Sequence, residues 1–156
     1  MQSAPNSLDR ILVAVDGSSF SLRAADLAFQ IAEKFDSELV GVHVASYPSE
    51  YLGFERHTIL VGIPMGDDIV EDQKKKASQM LQKISRIGES KHIRLATIVL
   101  DSRQSIVDSI VDDAAREHID LIVAGTRGLY PYQTSISGSV SSGLVASARC
   151  SVLIVK

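Results

Sequence analysis

Five short apolar stretches punctuate the chain: Ile11 to Val15, Leu39 to Ala45, Leu95 to Leu100, Leu121 to Ala124 and Val152 to Val155. They are rich in β-branched residues and nearly continuous rather than alternating, the pattern of strands covered on both faces in a parallel sheet. The segments between them carry a helical period. Leu22, Ala25, Phe29 and Ala32 recur behind Ser18 and Ser19, two residues able to cap a helix start. Ala77, Met80, Leu81, Ile84 and Ile87 mark a second helix, with Gly88 near its stop. Ile106, Ile110, Val111 and Ala114 mark a third, and Val140, Leu144, Val145 and Ala148 a fourth. The alternation of strand and helix, joined by right-handed crossovers, predicts an α/β fold: a doubly wound open sheet of five parallel strands with four helices.

Size and composition agree with one such unit. The chain has 156 residues, 45% hydrophobic and 22% charged, enough for a single packed core and too short for a second domain. Residues 1–9 are polar, contain Pro5 and are expected to form a flexible terminus. One connection stands out: residues 47–66 carry Pro48 and Pro64, three glycines and the aromatics Tyr47, Tyr51 and Phe54. Loops of that length are uncommon and often functional, so it reads as a flap beside a ligand site or as a contact for a partner.

Charge narrows the choice of ligand. The net charge is −3, so no overall basic field exists to attract a nucleic acid or an anionic membrane. The basic run Lys74 to Lys76 follows Asp67, Asp68, Glu71 and Asp72 and reads as an exposed helix face. Any phosphate must therefore be held by local geometry. The lone Cys150 excludes an internal disulfide and suits a reducing compartment. With no secretory pattern at the start and no apolar run of spanning length, the expected location is the cytoplasm. His43 reads as a satisfied core histidine inside a strand, and His57, His92 and His118 have no metal-ligand spacing.

In open α/β sheets ligands bind beyond the carboxyl ends of the strands, where strand order reverses. Two strand ends carry suitable residues: Val15-Asp16-Gly17-Ser18 after the first strand, and Gly125-Thr126-Arg127-Gly128 after the fourth. Gly125 and Gly128 lack a Cβ and let the backbone turn sharply and approach a ligand. Gly138, Ser139 and Val140 lie at a helix start, where free N–H groups and the dipole favour an anion. Ser139 and Ser141 add hydroxyls, and Arg127 is the nearest fixed cation. A triphosphate suits this arrangement, and Asp16 is placed to accept hydrogen bonds from ribose hydroxyls. Asp16 is equally a candidate cap for the first helix.

At these positions the chain resembles the universal stress protein family, specifically its ATP-binding branch, whose motif is Gly, two residues, Gly, nine residues, then Gly and Ser or Thr. Gly125, Gly128, Gly138 and Ser139 match it, with residues 129–137 as the nine. Ile11 to Asp16, Val42-His43-Val44 and Cys150 to Val155 match the family's first, second and closing strands. The resemblance covers about Arg10 to Lys156. It implies a sheet ordered 3-2-1-4-5 and a homodimer formed through the last strand. It also implies that Ala14 and Val15 flank the adenine, that Val44 contacts it through the backbone, and that Asp16 meets the ribose. Gly125, Arg127, Gly128, Gly138, Ser139 and Val140 are expected to hold ribose and phosphates. Ser151 stands where the family commonly has Pro, and Asp101-Ser102 replaces its usual Gly and Pro before the third helix.

The expected function is a non-catalytic, ATP-responsive sensor of stress or energy state. No lysine-bearing phosphate loop of the GxxxxGK[ST] type is present, and no catalytic residues are assigned. Magnesium would accompany a triphosphate as its counter-ion, with no dedicated protein ligand. The alternatives are a slow ATPase or nucleotidyl transferase, and an interaction module with a vestigial site. Transferases carrying an SGGxDS-type loop after the first strand would show it where Val15-Asp16-Gly17-Ser18-Ser19 stands.

Overall fold

A computed structural model describes residues 7–46, 67–102, 105–128 and 139–156. The elements follow in the order β1 (Arg10–Ala14), α1 (Ser19–Phe35), β2 (Glu38–Ser46), α2 (Asp67–Ser90), β3 (Leu95–Ser102), α3 (Ile106–Arg116), β4 (Leu121–Gly125), α4 (Ser139–Ser147) and β5 (Ser151–Val155). Every strand pair is parallel, and the sheet runs β3-β2-β1-β4-β5. This is the expected doubly wound arrangement. The connection 47–66, residues 129–137 and Gly138 lie outside the described residues, as do residues 1–6.

The runs of β1, β2 and β4 become the inner strands because both sides of the sheet are covered there. Ile11, Val13 and Leu39 pack against α1 and α2 with Ala24, Ala28, Phe29 and Ile84. Leu12, Val40, Val42 and Ile122 pack against α3 and α4 with Ile110, Ala114 and Leu144. Successive residues of a strand thus serve opposite layers. β5 closes one edge and is only half-buried. No helix among the described residues is long and apolar enough to cross a membrane.

The expected helix faces are buried or half-buried, with three exceptions. Leu22, Ile87 and Val145 are exposed, at 50%, 43% and 61%. On α1 the expected Ala25, Phe29 and Ala32 are buried, joined by Ser21, Ala24 and Ala28 in place of Leu22. Small residues line this face because α1 lies close on the sheet: a Cβ added to Gly125 would come within 2.8 Å of the Phe20 backbone carbon. Gly88 lies near the stop of α2, as expected, but within the helix that runs on to Ser90. It is buried inside the helix, where a Cβ would meet Leu95 at 2.9 Å. The turn falls at His92, whose φ is +56°, with Ile93 N–H returning to the Gly88 carbonyl at 3.0 Å. Asp36 and His118 end α1 and α3 in the same left-handed conformation, with φ of 55° and 52°. His92 and His118 are therefore helix-terminating residues.

Candidate functional site

The order β3-β2-β1-β4-β5 places the switch point between β1 and β4, and the loops leaving these two strands meet there. Ser18 is the N-cap of α1: its Oγ accepts from Ser21 N–H at 3.1 Å. Asp16 does not fill that role. Its Oδ1 accepts from Ser18 N–H at 2.9 Å, and its own N–H donates to Ser21 Oγ at 3.3 Å. These bonds fix the carboxylate. Gly17 completes the turn at φ +85°, with the Met80 sulfur 3.2 Å from where its Cβ would lie.

From the β4 side, Gly128 reaches the same point. A Cβ on Gly128 would stand 2.8 Å from Asp16 Oδ2, so the backbone of one loop passes directly against the free carboxylate oxygen of the other. Ser18 Oγ donates to the Arg127 carbonyl at 3.4 Å, while the Arg127 side chain is exposed. Gly125 has a different reason to be glycine, namely the approach of α1. Thr126 N–H donates to the Val155 carbonyl at 2.8 Å, and Ser141 Oγ donates to the Thr126 carbonyl at 3.0 Å. The buried Ser141 hydroxyl thus ties the first turn of α4 to the end of β4, in place of the phosphate-donor role its sequence position suggests. Ser139 is exposed and Val140 half-buried at the start of α4.

The β1–β2 boundary supplies a second feature. Leu39 N–H donates to the Arg94 carbonyl and Glu38 N–H to the Asp9 carbonyl, both at 2.8 Å. Odd-numbered residues of β2 therefore turn their backbone groups to β3, and even-numbered ones to β1. Val15 N–H donates to the Val42 carbonyl at 2.8 Å. The next rung, from Val44 N–H to the Val15 carbonyl, is missing from the hydrogen bonds of the described residues. The Val15 carbonyl instead lies 2.7 Å from His43 Nδ1. Among the described residues, Val44 consequently turns an N–H and C=O with no backbone partner toward the space above β1. Ala14 and Val15 present side chains to opposite layers: Ala14 lines the α3/α4 side, and Val15 is buried on the α1/α2 side.

The structure thus brings Ala14, Val15, Asp16, Gly125, Arg127 and Gly128 to one end of the sheet, with Val44 at the adjoining strand edge. The Asp16–Ser18–Ser21 bonding and the His43 to Val15 contact beside Val44 were not evident from the sequence. The serines carried only the signal of a helix cap. Among the described residues no group of three His, Cys, Asp or Glu is placed to hold a metal ion. Cys150 is half-buried, and burial pushes its thiol pKa up, as suits a packing residue rather than a nucleophile.

The universal stress protein family model matches residues 7–156. The chain belongs to the universal stress protein family. A universal stress protein of Methanocaldococcus jannaschii is 29% identical over 159 residues, covering 100% of this chain and 86% of its own length. One from Thermus aquaticus is 30% identical over 148 residues, covering 94% of this chain and 97% of its own. Among solved structures, the universal stress protein UspA of Lactobacillus plantarum superposes with a TM-score of 0.79 at 22% identity, over 97% of this chain and 99% of its own. A universal stress protein solved in complex with cAMP gives 0.71 at 23% identity, over 97% and 99%. A family protein of Arabidopsis thaliana solved with AMP bound gives 0.67 at 18% identity, over 95% and 91%. At these identities the structural matches establish the shared fold.

Proposed function

We propose that this universal stress protein binds an adenine nucleotide at the β1/β4 switch point and serves as a non-catalytic, nucleotide-responsive sensor of stress or energy state. The observation that carries this reading is the approach of Gly128 to Asp16. It leaves a carboxylate oxygen held in place beside backbone with no side chain, where ribose hydroxyls can donate to the carboxylate while the sugar sits against the glycine. The open Val44 edge lies on the neighbouring strand and offers an N–H and a C=O to the base. Asp16 takes the ribose hydroxyls, and Ala14 and Val15 flank the adenine. Gly125, Arg127, Gly128, Gly138, Ser139 and Val140 hold ribose and phosphates, Ser139 and Val140 through the helix start that favours an anion. The neighbours solved with AMP and cAMP support an adenine nucleotide as the ligand class.

Our reading takes the ligand to be ATP with magnesium as its counter-ion, in the cytoplasm. The half-buried edge strand β5 supports a homodimer formed through that strand. With no general base assigned among the described residues, a bound nucleotide is expected to turn over well below an ordinary enzymatic rate of about 10 per second. The test is to denature freshly purified protein and identify what is released by chromatography and mass spectrometry. ATP, AMP or cAMP in the supernatant supports the reading. Absence of nucleotide, together with no binding when each is added back, defeats it.

A further inference from the structure

We infer that His43 is a positioning residue of the nucleotide site: by holding the Val15 carbonyl, its imidazole keeps the Val44 backbone edge open for the base. This rests on the nucleotide reading above. A carbonyl only accepts, so Nδ1 carries the proton in the 2.7 Å contact. Val15 is buried, and its carbonyl requires a donor. In a regular parallel ladder that donor is Val44 N–H, because even-numbered residues of β2 face β1 and Val42 already fills the preceding rung. The imidazole supplies the donor from the side-chain layer instead. β1 therefore leaves the sheet one rung early, at the point where the chain turns into Asp16.

The consequence is a matched pair of backbone groups on Val44. An adenine edge presents a ring acceptor beside an amino donor, the complement of a strand's N–H and C=O. A guanine edge presents a ring N–H beside a carbonyl, the reverse order, so two bonds favourable to adenine become two clashes of like groups. Without the His43 donor, the Val15 carbonyl recruits Val44 N–H, the ladder extends by a rung, and half of the base-reading pair is consumed.

The test uses the full chain with His43→Leu, which removes the donor, and His43→Asn, whose side-chain nitrogen occupies the Nδ1 position. ATP and GTP dissociation constants are measured by calorimetry, and exchange of the Val44 amide is followed by NMR without nucleotide. We expect His43→Leu to lose about tenfold in ATP affinity, the scale of one hydrogen bond, with GTP unchanged and the Val44 amide slowed. His43→Asn keeps the preference for ATP and the fast amide. An unchanged ATP to GTP ratio in His43→Leu, or a Val44 amide already protected in the parent chain, overturns the assignment. A parent chain that binds neither nucleotide overturns the nucleotide reading itself, and with it any role of His43 toward a base. Should His43→Leu fail to fold, His43→Phe, closer in volume to imidazole, carries the same comparison.

Discussion

Gly128 and Asp16 are separated by most of the chain yet meet so closely that a Cβ on the glycine would lie 2.8 Å from the carboxylate Oδ2. The contact joins the two loops at the switch point of the sheet and leaves no room for a side chain unless the carboxylate turns aside. The obstructed atom ends a side chain, so Gly128→Ala can be accommodated by rotating the carboxylate. We expect a stability change under about 1 kcal/mol, within the range of most exposed substitutions. Adenine nucleotide affinity should nevertheless fall about tenfold, because one charge-assisted bond to the ribose is displaced. Chemical denaturation and calorimetry on the same preparation check both halves.

Gly125→Ala should behave in the opposite way. Its Cβ would meet the Phe20 backbone at 2.8 Å and Ser21 N at 2.9 Å, and neither can move without lifting α1 off the sheet. Forced overpacking of this kind costs about 1 to 3 kcal/mol. A shift in the denaturation midpoint at unchanged slope is the expected signature.

Asp113 gives a prediction far from the nucleotide site. Its side chain is 2% exposed and ion-paired to Arg116, with Arg10 and Glu117 the other nearby charges, yet Oδ2 is buried without a partner. Burial, outweighing the attraction of Arg116, raises its pKa above the ordinary 3.8. The folded chain therefore holds this proton more tightly than the unfolded one. The associated stability is fully present below the unfolded value and is lost as pH rises through the folded value. Asp113→Asn removes the buried charge and should be more stable than the parent at pH 7, with the gap narrowing as pH falls toward the usual carboxylate range. Urea unfolding of both proteins across that range measures the gap.

The left-handed helix ends offer a further check. His118 adopts φ 52° and closes α3 through Ile119 N–H to the Ala114 carbonyl at 2.9 Å. A residue with a Cβ is strained there by about 1 to 2 kcal/mol, and glycine returns part of that as extra freedom in the unfolded chain. His118→Gly should raise stability by about 0.5 to 1 kcal/mol, read from thermal or chemical unfolding.

The strands were legible because burial on both faces leaves nearly unbroken apolar runs in β1, β2 and β4, and the half-exposed edge strands β3 and β5 keep an apolar composition. Each observed strand begins and ends within two residues of its run. The helix faces were less so. Periodicity counts apolar residues, yet α1 approaches the sheet so closely that serine and alanine face inward and Leu22 is left outside. Gly88 marks the neighbourhood of the helix stop as expected, but its reason to be glycine is the room it makes for Leu95. The pairing of Asp16 with Gly128 could be suspected from strand ends in a doubly wound fold. Their contact depends on the loop geometry fixed by Ser18 and Ser21, which no spacing rule encodes. The link from His43 to Val15 was equally hidden, since a histidine within a strand signals only that its polar atoms require partners.

The most direct measurement is equilibrium binding of ATP, AMP, cAMP and GTP to the parent chain and to Gly128→Glu, with folding of both verified by circular dichroism. Binding of an adenine nucleotide to the parent chain, preferred over GTP and abolished in the folded variant, is the expected result. Equal binding by both proteins would place the nucleotide elsewhere, and no adenine binding by the parent would contradict the switch-point site altogether.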